Sequence, residues 1–89
     1  MLLTSLVEAA RASGRWLAAT IIWRALLDAI LARGYAKAYG HGARYLRELR
    51  AIASEIEDFH GHPTHADYER SLRIAHGRKM SFWQRLSDA

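Results

Sequence analysis

Apolar residues recur at helical spacing along nearly the whole chain, most densely between residues 15 and 33. No segment alternates apolar and polar residues with the period of two that half-buried strands show. One apolar stripe of this segment consists of Trp16, Ala19, Trp23, Leu26, Leu27, Ile30 and Leu31. Elsewhere on the helical wheel lie Leu17, Ile21 and Ile22, and the only polar line is Thr20, Arg24 and Asp28. A helix that is apolar nearly all round is typical of a central position, covered by neighbouring helices.

The spacing predicts an all-α fold of four to five helices, at about residues 3–12, 15–33, 36–58, 64–76 and 81–86. Ser13 and Gly14 are expected to separate the first two helices, and Gly34 suits a left-handed cap after the second. Gly61 and Pro63 are expected to end the third helix. The second and third helices are long and joined by a short turn, which predicts a long antiparallel helical hairpin. We therefore expect an α-solenoid-like unit or a small irregular bundle.

Two glycines lie near the start of the third predicted helix, where each would cost ~1 kcal/mol inside a helix. Gly40 and Gly42 belong to a patch of small residues with Ala36, Ala38 and Ala43. We interpret this patch as a place where the third helix approaches the backbone of the second closely.

The chain has 89 residues, of which 51% are apolar, and it has no cysteine. A chain of this length is expected to form a single domain with one core. Without cysteine it cannot form disulfides, thiolate metal sites or a cysteine nucleophile, which fits a cytoplasmic protein. The most apolar run, residues 16–23, is far shorter than the ~18–20 residues that span a bilayer. The first residues lack the pattern of a secretory leader, so we expect no membrane association.

The net charge of +4 conceals three blocks of opposite sign. Residues 1–50 carry eight Lys and Arg against three acids, residues 51–69 carry five acids and no Lys or Arg, and residues 70–89 carry five against one. Blocks of this kind more often pair internally than form one continuous basic surface. The layout therefore disfavours nucleic-acid binding.

Three histidines in the acidic block have a spacing that could suit a metal site. His60, His62 and His65 follow the pattern H-x-H-x2-H and have acidic neighbours, namely Glu57, Asp58 and Asp67. Zinc and nickel accept such nitrogen and oxygen ligands, but structural sites usually draw their ligands from two separated elements. We favour a polar, solvated loop between two helices, with metal binding as the weaker hypothesis.

Catalytic patterns are weak in this sequence. Ser71, His76 and Asp67 could be drawn as a triad, but any helical protein yields such a set by chance. No glycine-rich phosphate loop follows a strand, because no strand is predicted. Asp28, an isolated acid on an apolar helix, is expected to form an ion pair with Arg24 one turn earlier. The sequence therefore predicts a protein that is not an enzyme and that carries no cofactor.

Two groups of basic residues could form a polyanion-binding surface if the fold brings them together. The first group is Arg44, Arg47 and Arg50, and the second is Arg70, Arg73, Arg78 and Lys79. With Trp83 nearby they would make a phosphate-binding stripe with an aromatic ring for stacking. We favour the alternative, in which they are solvated helix faces with contacts to the acidic block.

The aromatic residues fall into two groups. Those at core spacing are Trp16, Trp23, Tyr39, Tyr45 and Phe59. Phe82 and Trp83, in the last helix, are expected to form a lid or a contact for a partner.

Two stretches carry a resemblance to a known family. They are Trp23-Arg-Ala-Leu-Leu-Asp-Ala-Ile-Leu-Ala-Arg33, followed by Lys37-Ala-Tyr-Gly-His-Gly-Ala-Arg-Tyr-Leu46, and His76-Gly-Arg-Lys-Met-Ser-Phe-Trp83. Over roughly residues 18–86 the chain resembles the C-terminal helical region of an uncharacterised family of bacterial helical-repeat proteins, which is similar to the helical tails of some SWIM zinc-finger proteins. The resemblance implies a solenoid end with a scaffolding role, and a chain derived from a longer repeat protein. The zinc ligands of the SWIM motif have no counterpart here, so the resemblance implies no zinc role.

Three hypotheses about function follow from these patterns. The first is a non-catalytic helical interaction or scaffold module, with a protein partner or self-association through an exposed apolar patch. The second is a nucleic-acid-binding helical domain, which requires one contiguous positive face. The third is a domain that binds metal through its histidine loop.

Overall fold

A computed structural model of the protein describes the backbone of residues 2–88 and the side chains of residues 12 and 14–88. Helix α1 spans Leu2–Arg33, α2 spans Tyr39–Ile52, α3 spans His65–His76 and α4 spans Met80–Ser87. Short 3-10 helices at Ala36–Ala38 and Ala53–Glu55 flank α2. The described residues include no strand. The protein is therefore an all-α small bundle, as its helical spacing predicts.

Helix α1 is continuous over 32 residues, so the predicted break at Ser13 and Gly14 is wrong. Positive φ angles among the described glycines occur at Gly34 and Gly61, and Gly14 keeps a helical conformation. Its cost of ~1 kcal/mol is outweighed by good helix formers on both sides, such as Ala12 and Leu17. A single glycine without a left-handed conformation does not end a helix.

The end of α1 is a Schellman cap at Gly34. This glycine has a φ of 63°, and its N–H donates to the carbonyl of Leu31 at 3.1 Å. The next N–H, of Tyr35, donates to the carbonyl of Ile30 at 3.5 Å. These two bonds satisfy carbonyls that the helix end leaves without partners. The predicted left-handed cap is confirmed, and it turns the chain back so that α2 packs on α1 as the second arm of the hairpin.

The third predicted helix is shorter than its predicted range of 36–58. The α-helix begins at Tyr39 and ends at Ile52, and a 3-10 turn follows. Three acids crowd the predicted C-terminal end, and negative charges at the end of a helix are unfavourable. They are Glu55, Glu57 and Asp58. Ile56 takes an extended conformation, which returns its side chain to the interior at 6% exposure.

The interior is organised around the closest approach of α2 to its neighbours, at Gly42. A Cβ atom added there would lie 3.2 Å from both Leu27 Cδ1 and Phe82 Cε1, and 3.6 Å from Ile30 Cγ2. Helices α1 and α4 therefore both press against a position of α2 that has no side chain. The predicted close approach of α2 to α1 is confirmed at this glycine. Around it lie the fully buried side chains Leu27, Leu31, Ala43, Leu46 and Phe82.

Two of the three residues in the polar line of α1, Thr20 and Arg24, face inward. Thr20 and Arg24 are 2% and 8% exposed, whereas Ile22 is 60% exposed. Over residues 14–33, helix α1 is thus covered on one side only, and the prediction of a central helix is wrong. The physical reason is the segment between α2 and α3, which offers polar and aromatic partners to Arg24.

Arg24 anchors that segment to α1. Its Nη1 donates to the carbonyl oxygen of Pro63 at 2.8 Å, and its guanidinium lies 4.5 Å from the ring centroid of Tyr68 and 5.7 Å from that of Phe59. Such cation–π contacts favour a desolvated guanidinium. Burial lowers the pKa of Arg24, and the nearby Tyr68 and Asp28 oppose that shift. The Tyr68 hydroxyl donates to Asp28 Oδ1 at 2.7 Å, so Asp28 binds this hydroxyl instead of forming the expected ion pair with Arg24.

Helix α3 starts at a side-chain cap, where the Thr64 hydroxyl accepts from the N–H of Asp67 at 3.3 Å. Helix α4 then folds back so that Phe82 contacts the Tyr39 ring edge-on, with centroids 5.8 Å apart. Within the part of the chain that is described, no helix combines the length and apolar character that crossing a membrane requires.

Gly14 and Gly42 offer a matched test of this fold. Gly14→Ala should stabilise the protein by about 0.5–1 kcal/mol, because no atom lies within 4 Å of the added Cβ. Gly42→Val should destabilise it by roughly 1–3 kcal/mol, because the added atoms overpack the contact with Leu27 and Phe82. Urea denaturation followed by circular dichroism measures both changes. Destabilisation by Gly14→Ala would show that α1 breaks at this residue.

Tyr68→Phe should lower the free energy of unfolding by about 1–2 kcal/mol. The change keeps the ring against Arg24 but removes the hydroxyl that donates to Asp28. Tyr35→Phe is the matched control, because Tyr35 is 54% exposed and should tolerate the change within about 0.5 kcal/mol. Equal stability of the two variants in thermal denaturation would contradict a structural role for this hydrogen bond.

Candidate functional site

The three histidines of the predicted metal site take three different environments. His60 Nδ1 lies 3.5 Å from Asp58 Oδ2, in an exposed turn where His60 has a φ of 47°. His62 lines a hollow beside Arg24, and His65 Nε2 lies 3.1 Å from Glu69 Oε1. Among the described side chains, no group of three or more metal-ligating residues is assembled. The structure therefore does not bring these histidines together.

The seven basic residues of the predicted polyanion surface are also dispersed. Arg50, Arg70 and Arg73 line one hollow on the surface of α2 and α3. Arg47 Nη2 donates to the carbonyl of Arg85 at 2.8 Å, and the Arg44 guanidinium lies 5.8 Å from the centroid of the Tyr45 ring. The remaining two, Arg78 and Lys79, belong to the turn between α3 and α4. The structure thus brings three of the seven basic residues together around a single surface feature, this hollow.

That feature centres on the carboxylate of Glu69, which three cationic or ionisable groups surround. Arg50 donates from Nε to Oε1 at 2.8 Å and from Nη2 to Oε2 at 3.0 Å. His65 Nε2 lies 3.1 Å from Oε1, and Arg73 Nη2 lies 3.9 Å from Oε2. The paired hydrogen bonds from Arg50 lower the pKa of Glu69, and in return they raise the pKa of Arg50. Bidentate pairs of this kind are among the stronger charge-assisted contacts.

The hollow around Glu69 has a volume of about 680 Å³. Its lining consists of Arg50, His65, Ala66, Glu69, Arg70, Arg73 and Ile74, and we call it the basic hollow. Arg73 is held in place by Trp83, whose ring centroid lies 4.2 Å from the guanidinium carbon. Arg70 donates to Asp67 Oδ1 at 2.8 Å. The wall also contains an apolar residue, since Ile74 is 82% exposed.

The two aromatic residues that were expected to contact a partner have different surroundings. Phe82 is 0% exposed, so its assignment to a surface contact is wrong. Its ring packs against Gly42 of α2, next to Leu27 of α1. Trp83 is half-buried, and its indole N–H donates to the carbonyl of His76 at 3.0 Å. Its ring is covered by Arg73 on α3, which leaves less of it for a ligand.

A second candidate surface, which the sequence pattern did not identify, is the outer face of α1. Its exposed apolar residues are Ala18, Ile21, Ile22, Ala25, Leu26 and Ala29, and we call them the outer row. Exposed arginines lie at both ends of the row, Arg15 and Arg33. Next to the first end, Trp16 is 37% exposed and lines a hollow of about 320 Å³. The polar residues Thr20 and Arg24 are the sequence signal for this face, because their burial leaves the opposite side of α1 exposed.

Comparison with known proteins places the chain in one family. The match, described as "Family of unknown function (DUF6880)", covers residues 2–85. Neither the curated proteins nor the solved structures include a match to the chain.

Glu69 should make stability depend on pH at the acidic end. Because its pKa is lowered in the folded protein, its contribution is complete above the ordinary value of 4.5 and is lost as the pH falls through the folded-state pKa. Glu69→Gln should therefore lower stability near pH 7 by up to about 1 kcal/mol and have a smaller effect in acid. Chemical denaturation across this pH range measures the difference. Glu57→Gln, at an exposed acid of the preceding segment, is the control, and a parallel pH dependence of both variants would contradict the assignment.

Proposed function

Because the chain belongs to this family of unknown function, we propose from its own surfaces that it is a non-catalytic helical module that binds a protein partner. The observation that carries the proposal is the outer row of α1. Ile21, Ile22 and Leu26 are 42%, 60% and 44% exposed, and Leu26 lies one helical turn after Ile22. A contiguous apolar face bounded by charged residues is typical of a surface that another protein covers.

The shape of the row favours a helix as the partner. Large side chains, Ile22 and Leu26, alternate with the small residues Ala18, Ala25 and Ala29. Side chains of a second helix can pack into the spaces above the alanines, which is the ridge-and-groove geometry of helix pairs. The row lies on the side of α1 opposite the buried Leu27 and Leu31, so a second neighbour can pack there without displacing the core. A position at the end of a helical-repeat array, which the family resemblance implies, would use α1 in this way.

The charges at the ends of the row favour an acidic partner over a second copy of the chain. Arg15 and Arg33 are 18 residues apart, which is five helical turns or about 27 Å along one side of α1. In an antiparallel pair of α1 helices, Arg15 of one copy would lie near Arg33 of the other. In a parallel pair, each arginine would lie beside its counterpart. We therefore propose a partner helix with an apolar face and acidic residues near both ends.

The environments of the perturbed groups support a non-catalytic role. The largest shift is at Tyr68, where burial and the hydrogen bond to Asp28 raise the pKa of the hydroxyl. This hydroxyl is tied to α1, and Arg24 is tied to the carbonyl of Pro63. Both groups hold the segment between α2 and α3 in place, so burial at a structural contact is the main cause of both pKa shifts. The cysteine-free composition supports a cytoplasmic location.

The test uses two labelled peptides that form amphipathic helices with the same leucine and alanine face. One carries glutamates near both ends of that face, and the other carries lysines at the same positions. The acidic peptide should bind in fluorescence anisotropy, and the basic peptide should not. Ile22→Glu should weaken binding at least about tenfold, because it places a charge in the apolar contact. Met80→Glu, at a residue that is 71% exposed and lies outside the outer row and the basic hollow, is the matched control and should leave binding unchanged.

Three results would overturn the proposal: no binding of either peptide, equal binding of both, or equal loss from Ile22→Glu and Met80→Glu. Sedimentation of the chain alone provides a further check. A dimer that Ile22→Glu dissociates would assign the outer row to a second copy and reject the acidic helix.

A further inference from the structure

We propose that the basic hollow binds an acidic peptide segment, with a carboxylate on its arginines and an apolar side chain on Ile74. This site lies on α3 and rests on observations separate from the outer row of α1. It adds a second ligand surface to the proposed interaction module.

The charge of the basic hollow exceeds what its own carboxylate neutralises. Three arginines line it, and Glu69 is the acid among its lining residues. Asp67, just outside the hollow, accepts a hydrogen bond from Arg70 at 2.8 Å, so two carboxylates oppose three arginines. Glu69 already accepts two hydrogen bonds from Arg50, which compensates its charge. The side chains of Arg70 and Arg73 are 68% and 55% exposed at the mouth. An incoming carboxylate can reach these two guanidinium groups while Arg50 and His65 keep Glu69 in place.

Arg73 is held ready for such a ligand. Its guanidinium stacks on the Trp83 ring at 4.2 Å, and Trp83 is fixed by its hydrogen bond to the carbonyl of His76. A guanidinium that is already ordered loses little conformational entropy when it binds an anion. The planar group also presents paired N–H donors, which match the two oxygens of a carboxylate.

The exposure of Ile74 favours a peptide over a nucleic acid as the ligand of the hollow. Ile74 is 82% exposed on the wall of the hollow, and a phosphate backbone would leave it uncovered. An apolar side chain next to an acidic one in a peptide would cover it and remove its apolar surface from water. Single-stranded nucleic acid would also need an open aromatic face for stacking. Arg73 covers a face of the Trp83 ring beside the hollow, so the site favours the peptide.

The probe is a short labelled peptide with a Glu-Leu-Glu segment between glycines, compared with its Gln-Leu-Gln version and with oligothymidine. The acidic peptide should bind more tightly than both in fluorescence anisotropy at low salt. Arg70→Gln and Ile74→Ser should each weaken its binding by about threefold to tenfold. Arg73→Gln should weaken it further. The matched controls are Arg78→Gln and Met80→Ser, at an arginine and an apolar residue that do not line the hollow. Met80 is 71% exposed, as a match for Ile74 requires. Both variants should bind the peptide as the unchanged protein does.

Equal losses from the hollow and control variants would overturn the proposal, because they would indicate attraction by net charge alone. Tighter binding of oligothymidine, with Ile74→Ser unchanged, would assign the arginines to a nucleic acid instead. Ile22→Glu separates this proposal from the previous one, because it should retain the Glu-Leu-Glu peptide. Loss of that peptide in Ile22→Glu would place it on α1 and reject the hollow. Circular dichroism of each variant confirms that the fold is retained.

Discussion

The contact at Gly42 is the constraint on which the rest of the bundle depends. Here α2 offers no side chain, and Leu27 of α1 and Phe82 of α4 approach the same point. Because interiors are packed at crystal-like density, three helices can meet there only if one of them lacks a Cβ. The contact selects the side of α1 that carries Leu27 and Leu31 as the buried side. The opposite side, which holds the outer row, is consequently left to solvent or to a partner.

Arg24 determines where the segment between α2 and α3 lies, and so it positions α3 and the basic hollow. The Pro63 carbonyl accepts a hydrogen bond from the buried Arg24 guanidinium, and two aromatic rings lie against it. The same arrangement brings Tyr68 to Asp28, which aligns α3 with α1. Glu69, the next residue, then meets Arg50 on α2. The contacts of Arg24 and Asp28 on α1 therefore set the position of α3 and of the basic hollow.

Local chemistry was sufficient to predict the helical class, the cap at Gly34 and the close approach at Gly42, because each depends on periodicity or on the lack of a Cβ. The buried side of α1 could not be predicted in this way. Periodicity does not rank the faces of a helix that is apolar nearly all round, and the choice depends on long-range contacts of Arg24. The same limit applies to Phe82, whose burial depends on a glycine 40 positions earlier. It applies equally to the basic hollow, which joins Arg50 to residues of α3 that are distant in sequence.

Because the Schellman cap at Gly34 fixes where the chain turns, the number of residues between this cap and Gly42 matters for the packing as much as their identity does. From this cap to Gly42 the chain has eight residues, most of them in a 3-10 turn and the first turn of α2. One residue added within that first turn would rotate the rest of α2 by about 100°. His41 would then occupy the contact, with an imidazole where no Cβ fits. Related chains that keep this packing should therefore vary in sequence across the connection while keeping its number of residues constant.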